Sequence, residues 1–72
     1  MTKISLEVKI IVSVVDTHTT ILAQVDNRTI ARRRLFGVYS QEQAEREWRL
    51  NKRYFQFESG EYVAGVRKLL GV

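Results

Sequence analysis

Three consecutive arginines, Arg32, Arg33 and Arg34, with Arg28 just before them, are the densest concentration of chemistry in the chain. A second basic set, Arg49, Lys52 and Arg53, follows at helical spacing. A guanidinium is a flat fork of donors that meets phosphate oxygens, or the edge of a guanine, two bonds at a time. Side chains of this kind at this density point to the binding of a polyanion.

The groups that catalysis needs are sparse. There is no cysteine to serve as a nucleophile or thiolate ligand, and His18 is the lone imidazole, set in the polar stretch 16–19 with no thiol or second histidine to work with. No glycine-rich loop could cradle a phosphate, and no carboxylates cluster with metal-ligand spacing. Glu42 and Glu45 stand four residues before Arg46 and Arg49, so helix ion pairs account for them. Glu58 and Glu61 flank a turn. The expectation is a protein without catalytic residues, metal or cofactor.

Charge supports the same view without deciding it. Twelve lysines and arginines stand against eight acids, a formal +4 with a pI near 9.9. Neutralising phosphates releases their counterions, which favours nucleic-acid binding; the same excess also serves ordinary solubility. At 72 residues the chain is one domain, 1–72, near the size at which a core alone supplies little stability. Assembly into a homo-oligomer is therefore an open alternative. No apolar run approaches the roughly 20 residues of a membrane-spanning helix, and a soluble, cytoplasmic protein is expected.

The elements that must carry these arginines can be read from periodicity. Stretch 40–55 places Ala44, Trp48, Asn51 and Phe55 on one helical stripe, widened on one side by Leu50 and Tyr54, with Glu42, Glu45, Arg46, Arg49, Lys52 and Arg53 opposite. Ser40 and Gln43 fit a capping box at its start. Stretch 3–15 alternates as a long half-buried strand, with Ile4, Leu6, Val8, Ile10, Val12 and Val14 on one face. Stretch 20–25 reads as a second strand with Ile21, Ala23 and Val25 facing in, and Asp26-Asn27 as a tight hairpin turn into a third.

Stretch 28–38 is the difficult one. Either parity of a regular strand turns an arginine inward, and an unpaired buried guanidinium is too costly. A bulge near residues 32–34 is expected to project all three arginines outward and return Leu35 and Phe36 to the core. Stretch 56–72 supports two patterns. One is a helix capped by Ser59, with Tyr62, Val63, Val66, Leu69 and Leu70 as its stripe and Gly71 as its close; the other is a hairpin turning at residues 58–61.

The expected fold is thus α+β, a three-stranded antiparallel sheet packed on one main helix with a shorter C-terminal helix. Over 21–48, the order of strand, short turn, basic strand and capped helix carrying Gln43 and Ala44 in its first turn resembles in outline the arm-type DNA-binding domain of phage integrases. That resemblance implies a sheet that enters the DNA major groove. The long first strand and the added C-terminal element depart from the family pattern. The same outline is also similar to that of small phage inhibitor proteins, which occlude a site on a partner.

Two functions are therefore expected of these residues. The first is a small nucleic-acid-binding accessory module, most simply for DNA, using Arg28, Arg32, Arg33 and Arg34 with Arg49, Lys52 and Arg53 on the flanking backbone. The second is a protein-interaction module, an inhibitor or oligomer subunit, whose arginines meet an acidic protein surface or whose contact is made by Ile11, Val15 and Leu22.

Overall fold

The computed structural model describes residues 6–72. Strands β1 (Lys9–Val15), β2 (His18–Val25) and β3 (Arg28–Phe36) form an antiparallel meander. Helix α1 (Gln41–Asn51) follows, then a 3₁₀ turn (Lys52–Tyr54), a short strand β4 (Gln56–Phe57) beside β3, and helix α2 (Glu61–Leu70). The class is α+β as expected, but the sheet has four strands in the order β1-β2-β3-β4, not three. At two residues, β4 is too short to leave a periodic trace in the sequence.

The turns explain why the meander closes where it does. Asp26 and Asn27 both adopt positive φ, 53° and 64°, the geometry that lets a two-residue connection follow the right-handed twist of its strands. Asp16 takes φ 55° at the first connection, so β2 already begins at His18. The first strand begins at Lys9, later than alternation suggests; residues 6–8 are irregular, and Ile4 with the rest of 1–5 lies outside the described residues.

One face of the sheet is dry. Ile10, Ile21, Ala23, Val25, Ile30 and Ala31 meet Ala44, Trp48 and Phe55 from the α1 region and Val63 and Val66 from α2. Burying each large side chain contributes on the order of 1.5–3 kcal/mol. Trp48 stands edge-on to Phe55 at 5.0 Å between ring centroids and also touches Phe57, tying α1 to β4. The capping box at Ser40 is formed in both directions: Gln43 N–H donates to Ser40 Oγ at 3.1 Å, and Ser40 N–H to Gln43 Oε1 at 2.9 Å.

The helical stripe narrows where the helix tightens. Asn51 takes φ −129°, the backbone goes over to 3₁₀ geometry, and the 100° period stops. Phe55 remains buried while Leu50 and Tyr54, expected to widen the stripe, are each 71% exposed. The expected Glu42–Arg46 and Glu45–Arg49 ion pairs are not made among the described residues. Instead Gln41 donates to Glu45 Oε2 at 3.0 Å and to the Ile10 carbonyl at 2.7 Å, so its amide caps the outer edge of β1.

Of the two readings of 56–72 the helix forms and the hairpin does not: Gln56–Phe57 make a short strand against β3, and Glu61–Leu70 are helical. The N-terminal cap of α2 is Gly60 and not Ser59, and Gly71 closes the helix in the left-handed region at φ 76°. Val63 and Val66 are buried, Tyr62 and Leu70 pack against the core, and Leu69 is exposed. No helix among the described residues is long and apolar enough to cross a membrane.

Candidate nucleic-acid interface

The arginine triplet is divided by the pleat. A bulge does break β3, but it falls opposite Ala23 and Gln24, upstream of the arginines, and both Ile30 and Ala31 turn inward there. From Ala31 onward the strand is regular. Arg33 pairs with buried Ile21 and points to the helix side, while Arg32 and Arg34 pair with Leu22 and Thr20 and point to the other. The expected outward projection of all three therefore fails at Arg33.

Arg33 is accommodated by partners that the sequence does not advertise. Its Nη2 lies 3.7 Å from Glu47 Oε1, and its guanidinium lies 5.5 Å from the centre of the Tyr54 ring. Glu47 is held in turn by Asn51, whose side-chain N–H donates to the same oxygen at 2.8 Å. Arg33 Nη1 is buried without a hydrogen-bond partner among the described residues.

Among the described residues, no helix packs on the outward face of β1, β2 and β3. Read from the register, its residues are Lys9, Ile11, Ser13 and Val15, then His18, Thr20, Leu22 and Gln24, then Thr29, Arg32, Arg34 and Phe36. None of these is acidic. Arg32 is paired with Glu58 at 3.2 Å, an exposed contact at the end of β4, and no carboxylate pairs with Arg34 among the described residues. Gln24 donates to Thr29 across the strands at 3.1 Å.

Phe36 was expected in the core and is instead 76% exposed on this open face. Its ring meets His18 edge-on at 5.2 Å, so this histidine is no turn residue but the first residue of β2 and a cross-strand aromatic partner. The chain leaves β3 at Gly37, φ 109°, and Thr19 fastens that exit from within. The fully buried Thr19 Oγ1 donates to the Gly37 carbonyl at 2.7 Å and accepts from Tyr39 N–H at 3.0 Å. With the backbone pinned there, Leu35 packs inward and Phe36 is turned out.

The remaining bases lie elsewhere. Arg28, at the hairpin end, stacks 4.5 Å from the centre of the Tyr62 ring. Tyr62 donates to Asp26 Oδ2 at 3.0 Å, so this cluster ties α2 to the turn between β2 and β3. Burial pushes the Tyr62 phenol up from its ordinary value, the bond to Asp26 and its negative charge add to that, and Arg28 acts in the opposite direction. Arg49 and Arg53 are exposed, and Lys52 sits half-buried with its ammonium 5.7 Å from the centre of the Trp48 ring. These three belong to the helix layer, across the sheet from Arg32 and Arg34. The seven candidate cations do not form one patch.

No family model, curated protein or solved structure matches the chain. The functional reading accordingly rests on its own geometry.

Proposed function

We propose that the protein is a small non-catalytic nucleic-acid-binding module that uses the helix-free face of its sheet. What carries this reading is the composition of that face: Lys9, Arg32 and Arg34 with no outward acid on β1, β2 or β3, and an exposed aromatic beside Arg34, with which no carboxylate pairs among the described residues. Arg34 and Lys9 would meet phosphates, and Arg32 would exchange Glu58 for a phosphate when one is near. Thr20, Gln24 and Thr29 supply neutral donors and acceptors between them.

The aromatic residue favours a single strand over a duplex. Phe36 presents a ring on which an unstacked base can lie, a contact worth roughly 1–3 kcal/mol per base. A duplex keeps its bases stacked and would engage the arginines alone. Arg49 and Arg53, on the opposite layer, would serve a strand that wraps round the molecule but not the same short segment.

The test is a fluorescence-anisotropy titration with labelled single-stranded and duplex oligonucleotides over a range of salt. The logarithm of the affinity should fall linearly with the logarithm of salt, with a slope of roughly −2 for about three phosphate contacts on a single strand. Replacing Arg32 and Arg34 together with alanine should abolish binding while the fold persists. Absence of association with every oligonucleotide at low salt would dispose of the reading.

A second reading draws on the apolar members of the same face. Ile11 and Leu22 lie opposite one another, and Val15 is exposed, so a protein partner could cover them. Light scattering at rising concentration distinguishes self-assembly from a monomer that awaits another partner.

A further inference from the structure

β3 is longer than the strand that covers it. β4 pairs with Ala31 and Arg32 alone, while β3 continues to Phe36. Hydrogen bonds at the two ends fix where the uncovered backbone points. Glu58 N–H donates to the Ile30 carbonyl at 2.8 Å on the β4 side, and Gly37 N–H donates to the Thr17 carbonyl on the β2 side. Alternate residues of an antiparallel strand turn both of their backbone groups towards the same neighbour. Arg32, Arg34 and Phe36 therefore face the β4 side, and beyond the end of β4 the N–H and C=O groups of Arg34 and Phe36 have no strand opposite among the described residues.

A groove runs along this bare edge. Arg33, Arg34, Tyr54 and Gln56 line it with Thr20, and no carboxylate does. Arg33 is turned to the helix side, its Nη2 beside Glu47 and its Nη1 buried. The guanidinium this groove offers is therefore that of Arg34, with which no carboxylate pairs among the described residues. The edge thus combines unpaired main-chain groups with unmatched positive charge.

We propose that this edge takes up an acidic, extended segment of a partner polypeptide, which adds to the sheet as a strand along 34–36 with its carboxylates on the open face, towards Arg34. Main-chain bonds supply affinity in this mode, and alternate side chains supply selectivity. A second copy of the chain is a poor occupant. Two-fold pairing about Arg34 would set the arginines of the two copies against each other, and like charges directly opposite are destabilising. An acidic peptide satisfies the backbone and the Arg34 guanidinium together. The site uses the strand edge, whereas the nucleic-acid reading uses the open face; the two share the Arg34 and Thr20 side chains.

The probe is a capped nine-residue peptide of alternating Glu and Val, titrated into the full chain with amide NMR as the readout. The expected result is binding, with slowed hydrogen exchange at the Arg34 and Phe36 amides. Methylating one set of alternate peptide nitrogens should weaken binding at least tenfold, and methylating the other set should leave it nearly unchanged, because only one set faces the protein. A Lys-for-Glu peptide should not bind, and Arg34→Glu should abolish capture of the acidic one. Equal affinity of both methylated peptides and the parent would reduce the contact to charge alone and overturn the proposal. Unprotected Arg34 and Phe36 amides, or no binding at millimolar peptide, would overturn it as well. Arg34→Gln, which keeps the strand and removes the charge, should retain weakened binding; unchanged affinity in that variant counts against the role given to Arg34.

Discussion

Arg33 and Glu47 join the middle of β3 to α1 through a single contact of 3.7 Å, with about a fifth of each side chain exposed. An ion pair this sheltered has lost much of its hydration, and each partner depends on the other. Removing Glu47 alone leaves a half-buried guanidinium with a second unmet nitrogen beside Nη1.

Glu47→Ala is therefore expected to destabilise the fold by about 1–3 kcal/mol, the range for a buried polar group left unpaired. Replacing both partners with apolar residues, Arg33→Met with Glu47→Leu, should recover most of that loss. Urea unfolding of the two singles and the double, treated as a cycle, measures the coupling. Additive single and double effects would mean that the pair does no joint work.

Thr19 has no apolar substitute. Thr19→Val keeps the shape but orphans the Gly37 carbonyl and the Tyr39 N–H, at about 1–3 kcal/mol. Thr19→Ser keeps both bonds and loses one methyl group, about 0.8 kcal/mol. Thermal melts should rank wild type above Ser above Val; Val at or above Ser would show that packing and not the hydroxyl holds the exit from β3.

The Tyr62 phenol gives α2 an alkaline limit. Its folded pKa is raised, chiefly by burial and then by Asp26, so folding favours the neutral phenol. Its contribution is complete below the unfolded tyrosine value of about 10 and is lost as pH rises through the higher folded value. Absorbance titration should find one tyrosine ionising later than the others, and the urea midpoint should fall more steeply above about pH 10 in the wild type than in Tyr62→Phe. Identical alkaline profiles for the two proteins would contradict this.

Phe36 separates binding from stability. Since its ring is exposed, Phe36→Ala should leave the melting temperature within a few degrees while weakening single-stranded oligonucleotide binding by about tenfold or more, the value of one lost stack. A large fall in melting temperature with intact binding would return the ring to a structural role.

What the sequence disclosed depended on how locally each feature is determined. Ser40 and Gln43 satisfy each other within one turn, so the start of α1 is written in four consecutive residues. Ile21, Ala23 and Val25 alternate because one sheet face is dry, and that too is a local pattern. Arg33 was not legible, because its inward turn depends on Glu47 and Tyr54, both distant in the chain, and on a bulge opposite Ala23 and Gln24 that lies ahead of the arginines. Apolar character alone sent Phe36 to the core, whereas the Thr19 clasp on Gly37 and Tyr39 sends it out. Of the candidate site, the cations themselves were legible; their partition between two layers was not, since a helical wheel and a strand parity do not say which faces of two elements end up together.

The two-residue connections of the meander bear on the order in which the molecule comes together. Short closures cost little chain entropy, so β1, β2 and β3 can zip from neighbour to neighbour on a microsecond scale before either helix docks. Ile21→Val should then slow refolding, while Val66→Ala should mainly hasten unfolding, a contrast that stopped-flow chevrons would detect. On that order the arginine ladder would stand with its lateral border bare until β4 arrived as a partial shutter. Repulsion between guanidinium groups on neighbouring molecules would be what keeps half-finished chains from stacking edge to edge.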